Sequence, residues 1–229
     1  MKDRTDTEIA LDAASALTRT MERVEAVGPV LRAAPMDRIQ AAIVRAAAML
    51  ADQTTPLGKQ ALASIPARAE LSPEGVRWAL EASLSELGGP AVASARGVLD
   101  RLGHDFLLVP VRLAGLVLAG NVFTAALRPI AWSLLCRAPV VCKVASTDAG
   151  LAELFGLALT LADEEVGAAV GIARFSRSDA ELLARLASGV DVLSVHGSDG
   201  TIRDAHARCP ATTELVAHGH GLGVAFVPR

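Results

Sequence analysis

The chain has 229 residues, 52% of them apolar and 21% charged, with a formal net charge of −3. That length suits one large domain or two closely packed ones able to bury a core unaided, and the balance excludes a disordered chain, a collagen-like repeat or a disulfide-stapled miniprotein. Scattered basic residues, 3% aromatics and no tyrosine argue against a nucleic-acid binder, which needs a basic stripe or stacking platforms.

The opening segment MKDRTDTEIA carries charge where a signal peptide needs an apolar core. The longest apolar stretch, near 113–127, is bounded by Arg112 and Arg128, interrupted by Asn121, and too short to span a bilayer. Cys136, Cys142 and Cys209 form no metal or redox spacing, and an odd count suits a reducing compartment. A cytoplasmic protein with no membrane span is expected.

Residues 1–103 repeat apolar positions at helical spacing: Ile9, Ala13, Leu17 and Met21; then Ile39, Ile43, Ala46, Ala47 and Leu50; then Val92, Ala95, Val98 and Leu102. Asp37, and Ser72 followed by Pro73, read as helix starts, and Gly103 as a stop. Within 53–89 a helix is expected over 73–86, with no function assigned. From His104 the pattern changes to short apolar runs separated by turns and helical stretches. Strands are expected at 106–109, 116–119, 140–143, 168–173, 190–195, 214–217 and 224–227, with helices at 124–136, 149–163, 178–187 and 199–207. Alternation of this kind predicts an α/β fold, a Rossmann-like, mostly parallel sheet with helices on both faces. The expected organisation is a helical segment, 1–103, packed on a nucleotide-binding domain, 104–229.

In such sheets ligands bind beyond the carboxyl ends of the strands. Gly120 and Asn121 follow the 116–119 run, and the Asn amide can donate to a developing oxyanion; the competing reading is a turn-forming cap. Lys143 ends the 140–143 run, ahead of Ser146 and Thr147, and could hold a ribose hydroxyl or phosphate; equally, it could be a surface lysine at the sheet edge. The 190–195 run leads into His196-Gly197-Ser198-Asp199-Gly200, where a phosphate could approach backbone N–H groups at a helix start, although no GxGxxG is present. His218-Gly219-His220 lacks a third ligand at metal spacing and reads as a polar turn. Cys136 and Cys142 read as small buried hydrophobes.

The ordered series resembles the aldehyde dehydrogenase superfamily, and within it the LuxC-like long-chain acyl-CoA reductases. It is carried by GLVLAGNVFTAALRPIAWSLLCRAPVVCKVASTDAG (115–150), DVLSVHGSDGTIRD (191–204) and ELVAHGHGLGVAFV (214–227), and it covers 104–229. The resemblance implies that Asn121 supplies the oxyanion-hole amide for a thiohemiacetal, that Lys143 holds the adenosine ribose, and that Gly197 and Ser198 cover the pyrophosphate. Ser146 falls where NAD-preferring members often carry a Glu, so NADP(H) is expected, with NAD possible. Ala217 stands where hydrolytic members carry the Glu that activates water, which favours thioester reduction over aldehyde oxidation.

In that family the nucleophilic Cys lies in a separate catalytic domain after the nucleotide-binding one, and none of the three cysteines here matches it. The expectation is an incomplete chain without turnover and of poor solubility, whose full-length form is a homo-oligomer because a late strand completes a neighbour's sheet. The implied substrate is an acyl-CoA or acyl-protein, and an acyl-transferring synthetase is the implied partner. Aldehyde oxidation, a non-catalytic nucleotide-binding or interaction module, and a generic α/β domain stand as alternatives.

Overall fold

The computed structural model describes residues 2–118, 120, 122–176 and 178–219, with side chains from residue 12 onward. Six helices come first: α1 (Lys2–Ala26), α2 (Gly28–Ala33), α3 (Met36–Ala51), α4 (Pro56–Ala69), α5 (Pro73–Leu87) and α6 (Pro90–Asp105). They are followed by β1 (Ala114–Val117), α7 (Leu127–Leu135), β2 (Val140–Val144), α8 (Leu151–Ala162), α9 (Glu164–Ala168), β3 (Val170–Arg174), α10 (Ala180–Ser188), β4 (Val192–His196), α11 (Asp199–Arg208) and β5 (Glu214–His218).

Local chemistry sets the helix starts. Ser72 Oγ accepts from the Gly75 N–H at 3.0 Å with Pro73 in the first helical position, and Thr55 Oγ1 caps α4 in the same way through Gly58. The expected start at Asp37 is displaced: Pro35 is the cap residue and Asp37 sits in the first turn, where a carboxylate suits the positive helix end. Nor does Gly103 stop α6, which continues to Asp105; a glycine in helical conformation costs about 1 kcal/mol there but breaks no hydrogen bond. Helix α4 was not among the expected elements.

The strands form one parallel sheet in the order β3-β2-β1-β4-β5. Its pleat separates two apolar clusters. Leu116, Val140, Cys142 and Val144 face the side covered by α3, α5, α7 and α8, while Val117, Val141, Leu193 and Val195 face the side covered by α1 and α10. Gly115 allows the close approach of β4, because a Cβ there would stand 2.8 Å from Leu193 Cδ1. The amino-terminal helices therefore contribute to both layers around the sheet.

Two further expectations are corrected. Residues 106–109 form no strand: they follow α6 as irregular chain, with Leu107 at 90% and Val109 at 75% exposure. Apolar composition favours a strand only where a neighbouring edge accepts its hydrogen bonds, and the sheet begins at β1. Cys136 is exposed rather than buried, because it ends α7 where Arg137 turns the chain at φ 55°. The expected helix over 124–136 starts instead at Leu127, after a turn. The 224–227 run lies outside the described residues. Among the described residues, no helix is long and apolar enough to cross a membrane.

Candidate functional site

Strands β1, β2 and β3 run outward in one direction, and β4 returns to the other side of β1, so the order reverses between β1 and β4. A crevice opens at such a reversal, beyond the carboxyl ends of the strands. Here it is a cleft of about 670 Å³, within the range of small-ligand sites. Lys143, Ser146, Gly197 and Ser198, expected separately from the sequence, all line it. Asn121 lies outside the described residues; its neighbour Gly120 lines the cleft and packs so closely that a Cβ would meet that of Ala145 at 2.8 Å.

Lys143 reaches the cleft because it is the penultimate residue of β2, in the parity that faces the α1 and α10 side. It is only 3% exposed, and its ammonium lies 5.4 Å from the centroid of the Phe175 ring, a cation–π contact. The sheet-edge reading of this lysine therefore does not hold, since β2 is flanked by β1 and β3. Ser146 is exposed on the loop that follows. That loop is held from beneath by Arg174 at the end of β3, whose Nη1 donates to the carbonyls of Ala145, Ser146 and Asp148 at 3.1, 3.3 and 3.1 Å. Asp148 accepts from the Gly150 N–H at 2.8 Å, in the turn where Gly150 adopts φ 94°. Burial pushes the Asp148 carboxyl above its ordinary range, against the opposing pull of that N–H and of Arg174.

Across the cleft, Ser198 caps α11. Its Oγ accepts from the Thr201 N–H at 3.3 Å and lies 3.1 Å from Thr201 Oγ1. Gly197 precedes it, where a Cβ would press on the Thr201 side chain at 3.0 Å. The turn thus presents the amino-terminal end of α11 to the cleft, a place suited to phosphate oxygens. Beside it, His196 and His218, in register on β4 and β5, stack with ring centroids 4.2 Å apart and planes 11° from parallel. Rings so stacked aim their in-plane lone pairs side by side and cannot converge on one ion. Among the described residues no cluster of three His, Cys, Asp or Glu is placed to hold a metal.

Sequence reasoning missed the histidine stack, Phe175 and the Arg174 brace. Each depends on strand neighbours far apart in the chain, and only the length of the 190–195 and 214–217 runs hinted that His196 and His218 share a register. At the end of β5, His218 lines the cleft, and Ala217 is not among its lining residues. No described cysteine lines it either: Cys142 is fully buried, its thiol pushed up by burial and then by Asp148 and Glu153, and burial also raises Cys209.

The sequence profile of a family described as acyl-CoA reductase (LuxC) matches residues 107–229. No curated protein sequence matches the chain. Among solved structures, the fold is similar to that of an NAD-dependent benzaldehyde dehydrogenase from Corynebacterium glutamicum, at 12% identity and a TM-score of 0.71, covering 90% of this chain and 46% of that one. It is also similar to a glyceraldehyde-3-phosphate dehydrogenase from Methanocaldococcus jannaschii complexed with NADP, at 12% identity and TM-score 0.72, covering 91% and 46%. A gamma-glutamyl phosphate reductase from Thermotoga maritima matches at 12% identity and TM-score 0.62, covering 87% and 52%. The chain thus spans about half the length of the structures it matches, and shares the aldehyde dehydrogenase fold with them.

Proposed function

The chain belongs to the acyl-CoA reductase (LuxC) family, and from that membership we propose that its cleft is the nucleotide-holding part of an NADP(H)-dependent reductase of long-chain acyl thioesters. The observation that carries the reading is the convergence of Lys143 and Ser146, at the end of β2, with Gly197 and Ser198, at the end of β4, on one cleft at the strand-order reversal.

The residues present fit a dinucleotide. Gly120 and Gly197 let the cleft wall pack tightly against Ala145 and Thr201, Ser198 and the first turn of α11 offer N–H donors, and Lys143 brings a cation into a buried wall. In this reading Lys143 binds the adenosine ribose and Gly197 with Ser198 covers the pyrophosphate. Ser146, uncharged and exposed, leaves space for a 2′-phosphate where a carboxylate would repel it. The cofactor, when bound, supplies hydride to the acyl carbon. Asn121 would donate to the oxygen of that carbon, and Arg174 keeps the Ser146 loop in place by tying down its carbonyls. The thiol nucleophile is none of the three cysteines described. The acyl group would come from acyl-CoA or an acyl-protein, with an acyl-transferring synthetase as donor partner, and the complete enzyme would be a homo-oligomer.

Titration of the purified chain with NADPH and with NADH, followed by nucleotide fluorescence, tests the reading. Saturable binding, tighter for NADPH, is expected. No binding of either nucleotide would overturn it, and tighter NADH binding would overturn the assignment of Ser146.

A further inference from the structure

We propose that the stacked His196–His218 pair is a proton-linked contact of this cleft, taking up one proton when a phosphate-bearing dinucleotide binds. The inference rests on the nucleotide reading above and extends it to two residues which that reading does not use.

Both rings line the cleft and sit immediately beside the Gly197-Ser198 turn and the start of α11. They are face to face at 4.2 Å, on adjacent strands in register, so two imidazolium charges would oppose each other at contact distance. The pair therefore holds at most one proton around neutrality. Ser194 Oγ lies 3.3 Å from His196 Nε2, within hydrogen-bond distance of that ring nitrogen. Burial, and then the neighbouring His218, hold His196 below the ordinary histidine value, which favours its neutral form near pH 7 when the cleft is empty. A pyrophosphate drawn to the α11 terminus would place negative charge next to the rings and raise their affinity for a proton.

The other charged groups around the pair are few. Lys143 of β2 and Asp204 of α11 line the same cleft, and Asp199 Oδ1 stands 3.5 Å from where a Cβ on Gly219 would lie. Strand β1 carries no charged side chain, Glu214 is at the opposite end of β5, and Glu181 and Arg185 of α10 line a separate surface hollow with Arg208. None of these is altered in the comparison below.

The test is the pH dependence of NAD⁺ binding by the purified chain. NAD⁺ is used because the 2′-phosphate of NADP⁺ itself titrates, with a phosphate pKa of about 6. Between pH 8 and 6 the wild-type dissociation constant should fall, approaching about tenfold per pH unit for one proton taken up. Calorimetry in two buffers of different protonation enthalpy should show net proton uptake on binding. His196→Asn and His218→Asn should each flatten the pH profile and abolish the uptake, and if one variant fails to fold the other carries the comparison. Wild-type binding that is flat with pH, or a slope that survives in a folded variant and so belongs to another group such as His220, would overturn the proposal while leaving the nucleotide reading in place. Absence of binding by either nucleotide at every pH would instead overturn that reading, and the proposal with it.

Discussion

Replacing Lys143 by Met removes the ammonium while keeping an unbranched side chain of similar length in a site that is 3% exposed. A hydrogen bond from a charged group contributes about 1.5–3 kcal/mol, and a wall with so little water places this one toward the upper half. At 1.4 kcal/mol per factor of ten, the dissociation constant for NADPH should rise by about 40- to 140-fold. Stability moves in two opposed ways. Loss of the contact with Phe175 forfeits about 1 kcal/mol, whereas relief from burying a charge acts in the other direction. The melting temperature should therefore stay within about 4 °C of wild type. The assay is a fluorescence titration beside a thermal melt of the same sample. Affinity within twofold of wild type in a variant that melts normally would refute the placement of Lys143 on the nucleotide.

Ser146→Glu should reverse the nucleotide preference, weakening NADPH by at least about tenfold relative to NADH as a carboxylate meets the 2′-phosphate; an unchanged ratio of the two dissociation constants would show that Ser146 is remote from it. Because His196 is held below its unfolded value of about 6.5, the unfolded chain binds more protons in between, and stability should be lost as pH falls through 6.5 toward the folded value. Urea midpoints at pH 7.5 and 5.5 should differ more in wild type than in His196→Asn. Gly167→Ala would bring a Cβ within 2.4 Å of the Thr160 backbone, where α9 turns back on α8, and should cost about 1–3 kcal/mol in chemical denaturation with an unchanged slope; a neutral result would mean that the turn relaxes freely.

The fold was legible where periodicity and turn chemistry are local. The Ser72-Pro73 helix start, the alternation of short runs and helices after 113, and the positions of Lys143, Gly197 and Ser198 at strand ends all follow from neighbours in sequence. The failures share a physical cause, dependence on distant partners. The 106–109 run has the composition of a strand but no edge to pair with, and Cys136 has apolar neighbours yet sits on the outer side of a helix end. Likewise, the histidine stack exists only because β5 joins β4 in parallel with His218 opposite His196. Arg174 gave no signal, since its role is to satisfy carbonyls of a loop about thirty residues away, a role that any exposed arginine sequence would resemble.

Helix α1 is the first element of the chain and among the last to be covered. Its stripe of Leu17, Met21 and Val24 packs with Phe175, Leu182, Leu183 and Leu186, and the Arg185 guanidinium reaches Thr18 Oγ1 at 3.3 Å across 167 positions. On a ribosome, where chains emerge at about 5–20 residues per second, that stripe would wait roughly 8 to 30 seconds for α10, with only β1, β2 and β3 to pack on before then. A nascent chain stalled before α10 would offer a chaperone the part of this helix that faces α10, while β1 and β2 would be covered on their other face by α3, α7 and α8. The cleft at the strand-order reversal, assembled only when β4 and β5 dock, would report the completion of this packing.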